Sequence, residues 1–437
     1  MGHQTNHANL SARGSRLIVE AGHSGFHNVT GDIYRPGENP GGILSLGLAE
    51  NTLMHDELIE FINKSFELSS FNLTYGDGSH GSKRLRAAIS RFVNRHFHPY
   101  LPVKSDHIRA CVGVSCASEL LALTLANEED GFLIGRPHYG AFIGDFWAKA
   151  KVRTVGVAFG TTDPFSFEAV AKYEEKLLRS NEDGVPIKAL VLCTPNNPLG
   201  QCYSREVIIA LMKLCQKHRI HLISDEIYAL SVWENEEAPS AAAFTSVLSI
   251  DTADIIDPSL VHVMWGMSKD FGANGLRLGC VIDQHNPELR EALRQISLAS
   301  FPPAPSDTIA ATILENDCFT DAYICQNQAR LAESYVYARN WLTEQRITYA
   351  PGSNSGFFLW VNLGAAVSKA DEDYDHDLLK NLFTTEKLLV ADALGFAGEE
   401  VGWFRIIFTH PKEYMDLCFG RMEKVLQAYR SARDGTA

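Results

Sequence analysis

No two of the nine cysteines form a CxxC pair, and none of the sixteen histidines sits in an HExxH run. Without those spacings neither a redox dithiol nor a zinc site has sequence support, and the odd number of scattered thiols reads as reduced and mostly buried. No apolar run approaches the length of a membrane span, and the opening MGHQTNHANLSARG lacks the apolar core of a secretory signal. The expected location is therefore the cytoplasm, with no membrane partner. Basic residues are outnumbered, 39 Lys and Arg against 53 Asp and Glu, and they are scattered. A chain of net charge -14 has no general affinity for polyanions, so no nucleic-acid partner is expected. Internal repeats and low-complexity tracts are also missing.

What is present is enough apolar sequence for two cores: 437 residues, 45% hydrophobic and 21% charged. Residues 1 to about 42, rich in Gly, His, Asn and Pro, read as an extended arm laid over the body. Leu85, Ala88, Ile89, Phe92 and Val93 mark one face of a helix that the Ser82 hydroxyl could cap. The apolar runs GFLIG, VRTVGVAF, IKALVLC, IHLIS, LVHVMWG and LRLGCVI then alternate with helical patterns such as FEAVAKYEEKLL and REVIIALMKLCQKH. Strands that are apolar throughout are covered on both faces, so this part predicts an α/β fold, a mostly parallel sheet wrapped by helices. FPPAPS (Phe301 to Ser306) punctuates the chain. Beyond it a long helix around Gln328 to Gln345, strands FFLWVNL and WFRIIFT, and a closing helix from Tyr414 to Ala432 predict a smaller α+β lobe. The division expected is 1–75 as arm and part of the small domain, 76–300 as the large domain, and 301–437 as the rest of the small domain.

The chemistry concentrates where strands end. Asp225 closes IHLIS and its neighbours, the carboxyl end at which open α/β sheets place ligands; a carboxylate there can keep a pyridine nitrogen protonated. Tyr228, three residues on, and Asn197 of TPNNPLG, after IKALVLC, can both reach a phenolate oxygen. Lys269 in WGMSKDFGANGLRLG offers an imine-forming amine, provided that a desolvated pocket near other cations removes its proton. Ser268 and Arg277 flank it with a hydroxyl and a guanidinium fork suited to phosphate. In IRACVGVSCASELLALTLA a strand passes through small residues into a helix, a turn that would aim the amides of Ser115, Cys116 and Ala117 at an anion. Tyr139, after GFLIG, could stack on an aromatic ligand, or could be a plain turn tyrosine. Arg405 lies inside the apolar strand WFRIIFT, a costly position unless it meets an anion: a substrate carboxylate or a structural salt bridge. Together these residues fit pyridoxal 5'-phosphate (PLP) as cofactor and a small amino-acid-like molecule as substrate.

Two lookalikes lack context. GDGSHG (Gly76 to Gly81) matches GxGxxG, but no strand precedes it and no acidic residue lies near Arg95, where a ribose partner is expected; DFG at Asp270 has no companion kinase motif. Ser115 also falls within one residue of a GxSxG elbow, since Ala117 stands where its last glycine belongs.

The combination resembles the class I aminotransferase-like, fold-type I PLP enzymes, and among them the branch similar to aminocyclopropane-carboxylate synthase, from about Leu44 to Phe408. SLGLAEN is similar to the branch's MGLAENQ, TPNNPLG to its SNPLG, SDEIY to its DEIY, SKDFGANGLRLG to its SKDMGLPGFRVG and GWFRIIF to its GWFRVCF. The resemblance implies a Schiff base at Lys269, Asp225 at the ring nitrogen, Tyr228 and Asn197 at the phenolate oxygen, and Tyr139 stacked on the ring. It further implies phosphate held by Arg277 and the Ser115 to Cys116 turn, the substrate carboxylate on Arg405, Glu50 on the substrate side, and a homodimer. Gly266 stands where the branch has a phosphate-binding serine, and Ser79-His80-Gly81 where it has Tyr-His-Gly.

The leading expectation is a lyase that cleaves a carbon-sulfur or similar carbon-heteroatom bond of an amino-acid-like substrate, in secondary metabolism. The alternative is an aminotransferase that exchanges amino groups between an amino acid and a 2-oxo acid. A remoter one is a serine hydrolase built on Ser115 with Asp392 and His410.

Overall fold

The computed structural model describes residues 9–11, 14–15, 31–368 and 374–434. Most of the arm expected over residues 1 to 42 lies outside the described residues.

The large sheet has seven strands: β1 Ile108–Cys111, β2 Gly131–Gly135, β3 Arg153–Val157, β4 Ile187–Cys193, β5 His221–Asp225, β6 Val261–Gly266 and β7 Gly279–Ile282. Their spatial order is β1-β7-β6-β5-β4-β2-β3, and β7 alone runs antiparallel to both of its neighbours. The mostly parallel α/β sheet expected from the apolar runs is what forms. Successive residues of one strand enter different cores: Phe132 and Ile134 pack with Val191, Ile223 and Met264 on one face, whereas Leu133 packs with Leu190, Leu222 and Val263 on the other. Two covered faces are why these strands carry no alternation of polar residues.

Helices α1 Lys83–His96, α2 Val114–Leu125, α3 Ala141–Trp147, α4 Ala169–Glu182, α5 Arg205–His218 and α6 Pro287–Ile296 flank the sheet. Ser82 caps α1 as expected, its hydroxyl accepting the Leu85 amide at 2.9 Å. The tract after Phe301 does more than punctuate. It opens a helix, Ala304–Leu314, with Pro303 at the cap and proline in the first turn, where no amide donor is needed.

The predicted helix at Gln328 to Gln345 is the latter part of α7, Asp317–Glu344, 28 residues capped by Asn316. Its buried face includes Thr320 and Asn327, and Asn327 accepts a hydrogen bond from Asn51 at 2.8 Å. Polar residues on the inward side are what mask its first half in the sequence. The second sheet joins β8 Thr348–Tyr349, β9 Phe358–Asn362, β10 Ala391–Asp392 and β11 Trp403–Ile407 in the order β10-β11-β9-β8, and α8, Lys412–Asp434, closes the chain. Leu44–Ser45 pairs in parallel with Leu388–Leu389 as a separate two-stranded sheet, which ties an early segment to a late one. No helix among the described residues is long and apolar enough to cross a membrane.

Candidate active site

Registry across the sheet brings several strand ends level: Cys193 of β4 pairs with Asp225 of β5, and Asp225 with Met264 of β6. The connections that leave these ends line a cavity of about 630 Å³. Lys269, Asp225, Tyr228, Asn197, Tyr139, Ser115, Ser268, Arg277, Arg405 and Glu50 all line it. Cys116 and Ala117 do not.

Lys269 sits on the single helical turn Met267–Asp270 that follows β6. Its amine donates to the Ala49 carbonyl at 2.5 Å, and burial, reinforced by the nearby Arg405 charge, brings its pKa down to about 7. An amine that is half neutral at physiological pH is a competent base and nucleophile.

Asp225 is buried and accepts only the Ile227 amide, at 3.3 Å; burial pushes its pKa up to about 7. Among the described residues no cation lies within ion-pair distance of it. Such a carboxyl is matched by a cationic ligand group, because an ion pair would offset the desolvation that now favours its neutral form. Asn197 donates to the Tyr228 hydroxyl at 3.5 Å, so an amide and a phenol converge at one point of the cavity wall.

Arg405 reaches the cavity from the middle of β11. Its guanidinium lies 4.7 Å from the centroids of both Phe358 and Phe396, donates to Asn197 Oδ1 at 3.0 Å and to the Gly47 carbonyl, and leaves Nε without a partner. Burial lowers its pKa to about 10. The salt-bridge reading of this arginine fails, because no carboxylate among the described residues pairs with it. A buried cation gripped by rings and carbonyls fits an anion brought in from outside.

Arg277 adopts a left-handed backbone, φ 50°, and donates to the Asn274 carbonyl at 2.9 Å and to the Val112 carbonyl at 3.4 Å. Its guanidinium covers Gly113, where an added Cβ would lie 2.5 Å from Nη2. Gly113, at φ 90°, is the N-cap of α2, so this guanidinium and a helix N-terminus make one anion cradle.

The structure moves the amides of that cradle from their expected places. Those of Cys116 and Ala117 already donate to the Gly113 carbonyl at 3.1 and 3.2 Å, so the free ones belong to Val114 and Ser115. The cause is the glycine cap, which starts the helix sooner than the small-residue run suggests. Ala117, wholly buried, cannot meet a ligand.

Gly266, where a serine was expected by resemblance, has no room for one: a Cβ would stand 2.5 Å from the Leu278 carbonyl oxygen. Ser79, in place of the expected tyrosine, shares a 3.0 Å hydrogen bond with Ser297 and does not line the cavity. The hydrolase constellation does not assemble. Asp392 bonds His376 at 2.8 Å and Lys380 at 3.3 Å, whereas His410 meets Thr52 at 3.1 Å.

Sequence reasoning missed Asp145, Val114, Ser118 and Phe142, which also line the cavity. Asp145 was detectable as the single charge in the apolar stretch GAFIGDFW, by the logic that singled out Arg405. The orphaned groups, an acid without a cation, a guanidinium without a carboxylate and a phosphate-sized cradle, together fit PLP with a bound amino acid.

The aminotransferase class I and II family profile matches residues 45–421. A 1-aminocyclopropane-1-carboxylate synthase-like protein 1 of Bos taurus is 30% identical over 98% of this chain and 85% of its own length. A probable aminotransferase of Leptosphaeria maculans is 32% identical over 88% of this chain and 91% of its own. Among solved structures, an aromatic aminotransferase of Pyrococcus horikoshii OT3 superposes with a TM-score of 0.69 at 17% identity over 95% of this chain and 99% of that one, a likeness of fold.

Proposed function

Because the chain belongs to the class I and II aminotransferase family and is therefore a PLP-dependent enzyme, we propose that it is a lyase that cleaves a carbon-sulfur or related carbon-heteroatom bond of an amino-acid-like substrate. When bound, PLP supplies an electron-withdrawing ring that stabilises negative charge on the substrate Cα. In this reading Lys269 carries the cofactor and, once released, takes the Cα proton. Asp225 holds the ring nitrogen protonated, and Asn197 and Tyr228 hold the phenolate oxygen. Tyr139 stacks on the ring, while Arg277, Ser268 and the free amides of Val114 and Ser115 hold the phosphate. Arg405 binds the substrate carboxylate through its uncommitted Nε–H, with Glu50 on the substrate side.

The observation that carries the reading is the Lys269 amine, tuned to about 7 and held only by the Ala49 carbonyl in a cavity that also contains Arg405. Support for elimination comes from the near full-length likeness to the Bos taurus protein named for aminocyclopropane-carboxylate synthase. Secondary metabolism as the setting goes with Ser79 and Gly266, two positions at which the chain departs from that branch.

The test is to incubate the purified enzyme with S-substituted cysteines, with and without 2-oxo acids, and to identify the products by mass spectrometry. Release of thiol, ammonia and a 2-oxo acid is expected. Exchange of amino groups with no thiol released would replace this reading by transamination, which the name of the Leptosphaeria maculans relative favours. We also take the active form to be a homodimer. Leu73, Tyr75 and Leu298 stand 83%, 84% and 69% exposed, apolar side chains that a second copy of the chain would cover. A monomeric mass in sedimentation would remove that part.

A further inference from the structure

Asp145 has no role in the site as drawn so far, yet it lines the same cavity as Ser115 and Arg277. It is the one ionisable residue of α3, and α3 packs against α2, whose N-terminus forms the anion cradle. Its Oδ2 is shut off from solvent and has no hydrogen-bond partner among the described residues. The Ser115 hydroxyl is the one side chain that favours its carboxylate form. An unsatisfied carboxyl oxygen beside a helix N-terminus is costly, and a carboxylate beside a phosphate dianion would be costlier, unless the acid carries a proton and donates it.

We propose that Asp145 is a proton-dependent clasp for the cofactor phosphate, a neutral carboxylic acid that donates its hydrogen to a phosphate oxygen held in the Arg277 and α2 cradle. This rests on that cradle being the phosphate end of the site. The groups around Asp145 agree with a neutral acid. From α2, Ser115 offers its hydroxyl, and Glu119, which adds negative charge, is paired with Lys149 at 2.8 Å. From the sheet, Asp225 adds further negative charge, and the one ionisable side chain of β3, Arg153, is held by Glu129 at 2.7 Å. Tyr139 and Arg277 complete the wall. Burial, opposed only in part by Ser115, raises the carboxyl to about 7 before any phosphate is bound, and a phosphate dianion would raise it further. The clasp is therefore closed near neutrality and opens as the pH rises and the proton leaves. It also takes over some of the duty of the serine that Gly266 cannot accommodate.

The experiment measures binding of pyridoxamine 5'-phosphate, which has no aldehyde to join Lys269, to the apoenzyme by fluorescence quenching. The range runs from about pH 7 to about pH 9, where the free ligand's phosphate is already the dianion. The expected wild-type dissociation constant rises by about tenfold across this range, the weight of one shifted proton. Asp145→Asn, which keeps a hydrogen-bond donor with no proton to lose, should give a profile shallower than wild type by one proton, the remaining slope belonging to Lys269 and Asp225. Asp145→Ala should bind about tenfold more weakly than wild type at the lower end and at least as tightly at the upper end, where the wild-type carboxylate repels the phosphate. The phosphorus NMR shift of the bound ligand should move with pH in the wild type and stay fixed in Asp145→Asn. Arg277→Ala separates the two layers of the argument. If it leaves binding of the phosphorylated ligand unchanged, the phosphate location itself is wrong and the clasp falls with it. If it weakens binding but Asp145→Asn keeps the wild-type pH profile and shift, the clasp alone is overturned. Thermal melts of the apo variants show whether each is folded, and for any variant that is not, the wild-type profile and NMR shift decide: no pH dependence in either overturns the proposal.

Discussion

Asp225 and Glu226 are neighbours in the chain, both are buried, and burial pushes both to about 7. Their surroundings differ completely. Glu226 turns away from the cavity and accepts from Ser224 at 2.9 Å, from Ser246 at 2.6 Å and from the Val247 amide at 2.9 Å. Asp225 faces the cavity with one amide. The same division separates Lys269 from its neighbour Asp270, which accepts from Ser231 at 2.8 Å, from the Leu230 amide at 3.1 Å and from Trp265 Nε1 at 3.0 Å. A shifted pKa alone therefore does not mark the site here. What separates the reactive wall from the structural wall behind it is whether the buried charge already has its partners.

The sharpest way to break the contrast is Lys269→Ala. It should lower turnover by about ten-thousandfold and abolish the visible band of the bound cofactor while leaving the melting profile of the apoenzyme intact or raised. A large loss of stability would put this lysine on the structural side. Next, Arg405→Ala should raise KM for the amino-acid substrate by about a hundredfold, the weight of a charge-assisted bond to carboxylate, with substrate-saturation kinetics as the measurement.

The paired exchange of the two acids comes third. Glu226→Ala should cost about 2 to 4 kcal/mol of stability in urea titration, because three donors lose their acceptor, whereas Asp225→Asn should leave stability unchanged or raise it near neutrality, where the buried acid must hold its proton, yet lose most of the activity. Equal stability effects would dissolve the distinction.

The smallest effect is in the pH dependence of stability. An unfolded chain ionises Asp225 near 4, whereas the folded apoenzyme keeps the proton until about 7. The stabilisation is thus full below about pH 4 and is lost as the pH climbs through about 7. In Asp225→Asn that decline should be shallower by one proton, read from urea midpoints at a series of pH values.

Much of this wall is visible in the amino-acid sequence because it is built from strand ends. The continuous apolar strands announce a sheet covered on both faces, and Asp225, Asn197 and Lys269 then fall at the same edge by counting alone. Arg405 betrays itself as a charge within an apolar strand. Three things stayed hidden, each for a physical reason. Val114 joins the expected Ser115 among the free amides because Gly113 takes φ 90° and begins the helix there, and a glycine's dihedral angle leaves no trace in composition. The exclusion of serine at Gly266 comes from the Leu278 carbonyl, a contact across two antiparallel strands. The orientation of Asp145, though not its lone charge, stayed hidden because it lies on a helix of seven residues, too short for a periodic pattern to show which way it faces.

The Gly47 and Ala49 carbonyls, which receive Arg405 and Lys269, belong to the main chain just past the Leu44–Ser45 pairing. An oxygen of the backbone is present whichever amino acid occupies the position, so exchanges at Ala49 should be forgiven so long as the path of the chain holds. Insertion or deletion of even one residue between Ser45 and Asn51 would carry both oxygens out of reach. At Ala49 selection should act on length rather than on spelling.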